Sequence, residues 1–216
     1  MQNIYHIPAP DMDDKQIALV RTDDLNIINL TLQPITRKTT LEGLTIGLSG
    51  QITELNPILL GFCYGGILAQ EVAERIPRAQ VIVVSSIING KEVKMGHRLL
   101  AKLFYYCPNR FLAFFGTAAK VLINDFLRLP IKIPKIWLKA EQNKFIIKHS
   151  LSFQGAKSAR VFRIHGSNDR VVPIAVGSAD RMIKSAGHFM FFQNRHKEVL
   201  LAIKDAASQL RQLEVE

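Results

Sequence analysis

Pro57-Ile58-Leu59-Leu60-Gly61-Phe62-Cys63-Tyr64-Gly65-Gly66 joins two kinds of sequence. Its first residues are wholly apolar, as a strand buried on both faces must be. Beyond it, Ile67 to Arg75 carries apolar residues at helical spacing, and Pro77 ends the run. Gly61-x-Cys63-x-Gly65 is therefore a strand-to-helix turn. A turn of this kind sets a nucleophile on a sharp, strained corner, and glycines two residues to either side let neighbouring backbone pack without clashes. Gly66 adds room. The helix that follows offers backbone N–H groups and the positive end of its dipole to a developing anion.

Working outward, strands alternate with helices, the rhythm of a parallel sheet covered on both faces. Upstream, Ile4 to Ile7 reads as a first strand, followed by the turn Pro8-Ala9-Pro10-Asp11. Asp13 to Val20 is an expected helix, and Asn26 to Leu32, rich in β-formers, an expected second strand. Thr39 or Thr40 can cap a helix whose first turn holds Glu42 and whose apolar residues continue to Ile52. Downstream, Gln80 to Ser85 is another buried strand, Arg160 to His165 a later one, Asp180 to Lys184 a last short one, and Arg195 to about Leu213 a terminal helix. No internal repeat or low-complexity tract interrupts the chain.

Residues 90–157 break this rhythm. They are rich in Lys, Arg, Leu and Phe, with prolines at 108, 130 and 134, and read as two to four amphipathic helices. The expectation is a helical cap at 90–157 inserted into a core made of 1–89 and 158–216.

The bulk properties agree with a globular domain. The chain has 216 residues, 48% of them hydrophobic and 21% charged, enough to bury a large core and too apolar for general disorder. Two cysteines, Cys63 and Cys107, are too few for a disulfide framework or a cysteine-rich zinc site, which points to a reducing compartment. The first residues lack a secretory pattern and no apolar run approaches the length of a membrane span, so the expectation is a cytoplasmic protein with no transmembrane segment. The net charge is +10, which suits either a soluble basic surface or an anionic partner. No zinc finger, basic zipper or RNA-recognition signature is present, and no nucleic-acid partner is expected.

Two further signals follow Cys63 in order. Asp169 sits just past a late strand, in His165-Gly166-Ser167-Asn168-Asp169-Arg170-Val171-Val172-Pro173. His188 sits just past the last strand, in Ala186-Gly187-His188-Phe189. Nucleophile, acid, histidine is the chain order of α/β-hydrolases. The sequence resembles that superfamily, and in particular small bacterial esterases and lipases, over nearly its whole length and least in the cap. The resemblance implies a mainly parallel sheet of about six strands with helices on both faces. It implies Cys63 as nucleophile, His188 as general base and acid, and Asp169 as the residue orienting His188. It implies a small ester or thioester substrate, neither metal nor organic cofactor, and a monomer or homodimer.

Two departures from the family pattern matter. Cysteine stands where these enzymes usually carry serine. Paired with histidine, a thiolate is a strong nucleophile, and dienelactone-hydrolase-like enzymes of the fold use cysteine. The alternatives are a substituted serine and an inert, buried cysteine. The second departure follows the first strand, where the family usually places His-Gly or a glycine-rich turn whose N–H completes the oxyanion hole. Here Pro8-Ala9-Pro10-Asp11 follows, and proline has no N–H. Tyr64, the residue after the nucleophile, supplies one donor; Ala9 or Asp11 must supply the other, or the hole is one-armed. A hole lacking one donor typically loses ~10²–10³ in turnover. The rival expectation is therefore a non-catalytic binding protein of the same fold with a defective oxyanion hole.

The other candidates read as structural. His165 ends a strand and suits packing or a structural hydrogen bond. His6, His97, His149 and His196 lack metal-ligand spacing, and Cys107 suits packing. In the cap, Leu99-Leu100, Phe104-Tyr105-Tyr106 and Phe111 to Phe115 suit a core between cap and sheet or the lining of an acyl pocket. Lys91, Lys94, Arg98, Lys102, Lys120 and Arg128 suit a solvated face, or docking of an anionic partner such as an acyl carrier protein or a phospholipid surface.

Overall fold

The computed structural model describes residues 3–10, 12, 25–93, 95–106, 140–175, 177–192 and 195–212. The expected helix at 13–20, Asp11, Cys107 and Phe111 to Phe115 lie outside these residues. Six strands form one sheet: β1 (Ile4–Ile7), β2 (Ile27–Asn29), β3 (Ile58–Phe62), β4 (Gln80–Val84), β5 (Arg160–Gly166) and β6 (Arg181–Ile183). Their order is β2-β1-β3-β4-β5-β6, and every pairing is parallel. The α-helices among the described residues are α1 (Leu41–Ser49), α2 (Tyr64–Ala73), α3 (Met95–Tyr106), α4 (Ala140–Ser152) and α5 (His196–Gln212).

Parallel pairing explains the composition of the strands. Each central strand is covered on both faces, so β1, β3 and β4 are buried at every residue. Alternate residues feed two cores. Ile4, Leu60, Phe62, Ile82 and Ile164 pack on one face with Val199, Ala202 and Ile203 of α5. Tyr5, Ile7, Leu59, Val81 and Val83 pack on the other with Leu68, Ala69 and Val72 of α2 and Leu48 of α1. Burying each such side chain contributes roughly 1.5–3 kcal/mol. Thr40 proves to be the cap of α1, accepting the Gly43 N–H at 3.0 Å.

The second strand is shorter than its composition suggests, three residues rather than the seven of Asn26 to Leu32. Among the described residues it is an edge strand with β1 as its one neighbour. Leu30 donates to the His6 carbonyl at 2.9 Å, and β1 then runs into Pro8. Beyond that point β1 offers no ladder partner, so Leu30 to Ile35 leaves the sheet.

Two polar groups inside the core have consequences. Arg163, almost fully buried on β5, is clasped by Glu92 (2.9 Å to Oε1 and 2.8 Å to Oε2) and donates to the Ser86 carbonyl at 2.9 Å. His6 on β1 is buried, with Nδ1 2.7 Å from Asn29 Oδ1 and its ring edge-on to Phe62. The Asn29 oxygen is an acceptor, so Nδ1 donates, and the buried Nε2 has no protein partner. Burial lowers the His6 pKa to about 4, against a smaller opposing effect of the Asn29 hydrogen bond. The unfolded chain takes up this proton near pH 6.5, whereas the folded chain resists it until about 4. Stability therefore falls as pH drops through that window, by about 3 kcal/mol in all. Urea unfolding at pH 7 and pH 4 should show the loss, and His6→Leu should remove most of it; an unchanged pH dependence in that variant would assign the loss to other groups.

Candidate active site

The site is built at the C-terminal ends of β1, β3, β5 and β6. Cys63 N–H donates to Val84 O at 2.9 Å, extending the β3–β4 ladder by one bond before the chain turns into α2. The turn puts Cys63 at φ 49°, ψ −120°, a conformation that costs a side-chain-bearing residue roughly 1–3 kcal/mol. It is possible only because two neighbours lack a Cβ. One on Gly61 would lie 2.3 Å from the Gly65 carbonyl oxygen, and one on Gly65 would lie 2.5 Å from the Ile7 carbonyl oxygen. Both obstacles are backbone. Strand, corner and helix are thus wedged against the end of β1.

Cys63 Sγ lies 3.2 Å from His188 Nε2, and His188 Nδ1 lies 2.9 Å from Asp169 Oδ2. Cysteine, histidine and aspartate, 125 and 19 residues apart in the chain, form one hydrogen-bonded line. Asp169 is held from several sides: Oδ1 accepts the N–H groups of Val171 (2.9 Å) and Val172 (2.8 Å). Burial alone would raise the pKa of this carboxyl. The charge of His188 and hydrogen bonds from His165, His188 and the Val172 N–H outweigh it, and the group stays well below the usual carboxylate range. Burial would likewise lower the His188 pKa. The negative charges of Cys63 and Asp169 on either side win, and the imidazole is pushed up to about 10. The protonated imidazole of His188 is thus held between Cys63 Sγ and the Asp169 carboxylate.

His165, which the sequence presents as a structural histidine, touches this line. Its Nε2 is 3.1 Å from Asp169 Oδ2 and 2.8 Å from Val172 O, and its side chain is fully buried. Only a protonated Nε2 satisfies both acceptors, so the ring holds the Asp169 oxygen that faces His188. The available signal was its spacing, four residues before Asp169 at a strand end. His165→Phe keeps the ring and removes the donor. It is expected to lower stability by about 1–3 kcal/mol, because the buried Val172 carbonyl loses this donor and Asp169 Oδ2 is left with His188. Turnover should fall about tenfold. Thermal unfolding and kcat check these together; an unchanged kcat would confine His165 to folding.

Tyr64 and Ala9 sit beside the corner. Tyr64 opens α2, so its N–H is one of the first four of a helix and has no intrahelical acceptor. Ala9 is buried, and its nitrogen lies 3.1 Å from where a Gly65 Cβ would stand. The Ala9 carbonyl accepts Met12 N–H at 3.0 Å, closing the Pro8–Pro10 turn against α2. A cleft of about 480 Å³ opens from this turn, bounded by Pro8–Pro10, by Asn29–Ile35 and by Gln142 of α4. Phe145 of α4 packs edge-on against the Tyr64 ring, with centroids 6.4 Å apart. Of the described helices between β4 and β5, α4 therefore reaches the corner. Leu99 and Tyr106 of α3 are exposed rather than packed on the sheet, because α3 rests on α4 and its other face is turned outward.

No protein-family model and no curated protein matches the chain. Solved structures do. BpoC of Mycobacterium tuberculosis H37Rv, assigned as a non-heme bromoperoxidase, superposes with a TM-score of 0.65 at 14% identity, covering 97% of this chain and 93% of its own. A carboxylesterase of the ammonia-oxidizing thaumarchaeon Nitrososphaera gargenis gives 0.60 at 15% identity, covering 96% and 91%. ClbQ of the colibactin NRPS/PKS pathway gives 0.59 at 13% identity, covering 98% of each chain. With its six parallel strands, its cysteine corner between β3 and α2 and this set of structural neighbours, the chain has the α/β-hydrolase fold.

Proposed function

We propose that the protein hydrolyses a carboxylic ester or thioester through a covalent acyl-enzyme on Cys63. The observation that carries this reading is the hydrogen-bonded line Cys63–His188–Asp169 at the strained corner. Cys63 thiolate attacks the carbonyl carbon, and the carbonyl π pair moves to oxygen. The N–H groups of Tyr64 and Ala9 receive that oxyanion. His188 passes its Nε2 proton to the leaving alkoxide or thiolate as the tetrahedral adduct collapses, leaving an acyl thioester on Cys63. His188, now neutral, takes a proton from water; the hydroxide attacks the thioester, and the carboxylic acid leaves as the thiolate reforms. Asp169 keeps the Nδ1–H tautomer throughout. The cleft beside Ala9 receives one arm of the substrate, with residues 90–157 acting as the cap over it. Several structural neighbours are esterases, which agrees with this chemistry.

The test is a panel of short and medium p-nitrophenyl esters and thioesters, with intact-mass detection of an acyl adduct on Cys63. Turnover with an adduct supports the reading. Silence across the panel, with substrate analogues still bound, favours the second reading: a binding protein of this fold. The Pro8-Ala9-Pro10 turn, with a single N–H among its three residues, is the observation that speaks for that alternative.

A further inference from the structure

Among the described residues eight large hydrophobic side chains are exposed, and four of them lie on α3: Met95 (84%), Leu99 (71%), Leu103 (69%) and Tyr106 (79%). They follow i, i+4, i+8, i+11, the spacing of a single stripe along a helix. The opposite side of α3 rests on α4, so the stripe faces outward. Helical spacing puts Arg98 and Lys102 along one edge of it. At twelve residues α3 is about 18 Å long, too short to cross a membrane, and no helix among the described residues is long and apolar enough to do so. The stretch of sequence that contains α3 carries most of the net charge of the chain. Residues 91–139 hold ten Lys and Arg against two Asp and Glu, a net +8 out of the +10 of the whole chain.

We propose that α3 docks the protein onto an anionic lipid surface, lying in the head-group plane with its apolar stripe toward the acyl chains. Charge complementarity and the stripe together select this occupant. A nucleic acid or a purely acidic protein would satisfy Arg98 and Lys102 but leave four large apolar side chains without a partner. A second copy would cover the stripe but set Arg98 and Lys102 against their own equivalents across a two-fold axis. An anionic bilayer offers negative head groups and hydrocarbon within a few ångströms of each other, and Tyr106 suits the boundary between them. The inference is independent of the catalytic reading. Because α3 rests on α4, which reaches Tyr64 through Phe145, docking would also set the corner close to the surface.

Three measurements decide it. The full-length protein should pellet with vesicles of phosphatidylcholine containing about one third phosphatidylglycerol, and at least tenfold less with pure phosphatidylcholine or in high salt. Amide hydrogen exchange of the unaltered protein on those vesicles should slow over residues 95–106. The pairs Leu99→Gln with Leu103→Gln, and Arg98→Gln with Lys102→Gln, should each cut pelleting about tenfold or more while circular dichroism and thermal unfolding stay unchanged. No pelleting, or pelleting without protection of 95–106, overturns the proposal even if a variant fails to fold. Pelleting insensitive to the leucine pair overturns it in favour of a charge-only partner. A mass in solution that doubles, and halves with the leucine pair, overturns it in favour of self-association.

Discussion

Cys63→Ala is expected to lower ester and thioester turnover by about 10³-fold or more, because it removes the atom that forms the acyl bond. The residual rate should be that of the binding cleft and the oxyanion donors alone. Cys63→Ser is the more informative partner. In the parent, the imidazole proton is held to about pH 10, burial being outweighed by the negative charges of Cys63 and Asp169. A serine removes the raising influence that Cys63 exerts on His188, so His188 holds its proton less tightly. The parent needs His188 protonated, and its activity should fall as pH rises through about 10. The serine variant needs His188 neutral to accept the hydroxyl proton, so its activity should rise with pH across the neutral range. Rate profiles of both proteins on one ester decide this. Alanine and parent turning over equally would remove Cys63 from the mechanism, and a serine variant faster than the parent would show a site shaped for oxygen.

Asp169→Asn should cost about 10⁴-fold in kcat with a small change in KM, and the surrounding donors explain why so small a change does so much. The Val171 and Val172 N–H groups both point at Oδ1. They pin the amide oxygen on that side and leave the NH₂ group facing His188 Nδ1 and His165 Nε2. A donor at Nδ1 selects the tautomer whose proton sits on Nε2, so a neutral His188 can no longer take a proton from water or hold the thiolate pair. Donor also meets donor at His165, which should destabilise the fold by about 1–3 kcal/mol. Steady-state kinetics and thermal unfolding measure the two effects separately; turnover within about tenfold of the parent would sink the assigned role of Asp169.

Much of this fold is legible in the sequence because parallel strands buried on both faces must be largely apolar, and β3 and, after Gln80, β4 are. The strand-to-helix corner is legible because Gly61 and Gly65 are demanded by backbone contacts with no slack. Thr40 is legible as a cap because a hydroxyl before a helical run has one obvious use. Where reading fails, the deciding partner is remote. The shortness of β2 depends on where its neighbour β1 stops, not on its own β-rich residues. The grip of His165 on Asp169 depends on a turn that brings the carboxylate back onto a ring four residues before it, whereas strand periodicity says nothing about atoms beyond the strand end. The outward face of α3 is the clearest case: its spacing predicts burial, and the neighbours that would bury it are not on the sheet.

The buried Arg163–Glu92 pair stands at the beginning of residues 90–157, and a second set of bonds closes the other end. Gly90 N–H donates to the Phe153 carbonyl at 2.9 Å, and Asn89 Nδ2 donates to the Gln154 carbonyl at 3.0 Å. The polypeptide thus leaves the sheet and returns to it through a stitched neck, and the ends of the intervening segment are held together whatever its length. Loop-closure entropy grows only slowly with length, so a segment hung on such a neck can be shortened, lengthened or exchanged at little cost to the fold beneath. For protein engineering, the useful joints lie beyond Glu92 and before Phe153. A graft that removes Glu92 would strand Arg163 without its carboxylate and cost about 3–5 kcal/mol, whereas one that keeps both joints could set a different segment on an unchanged sheet.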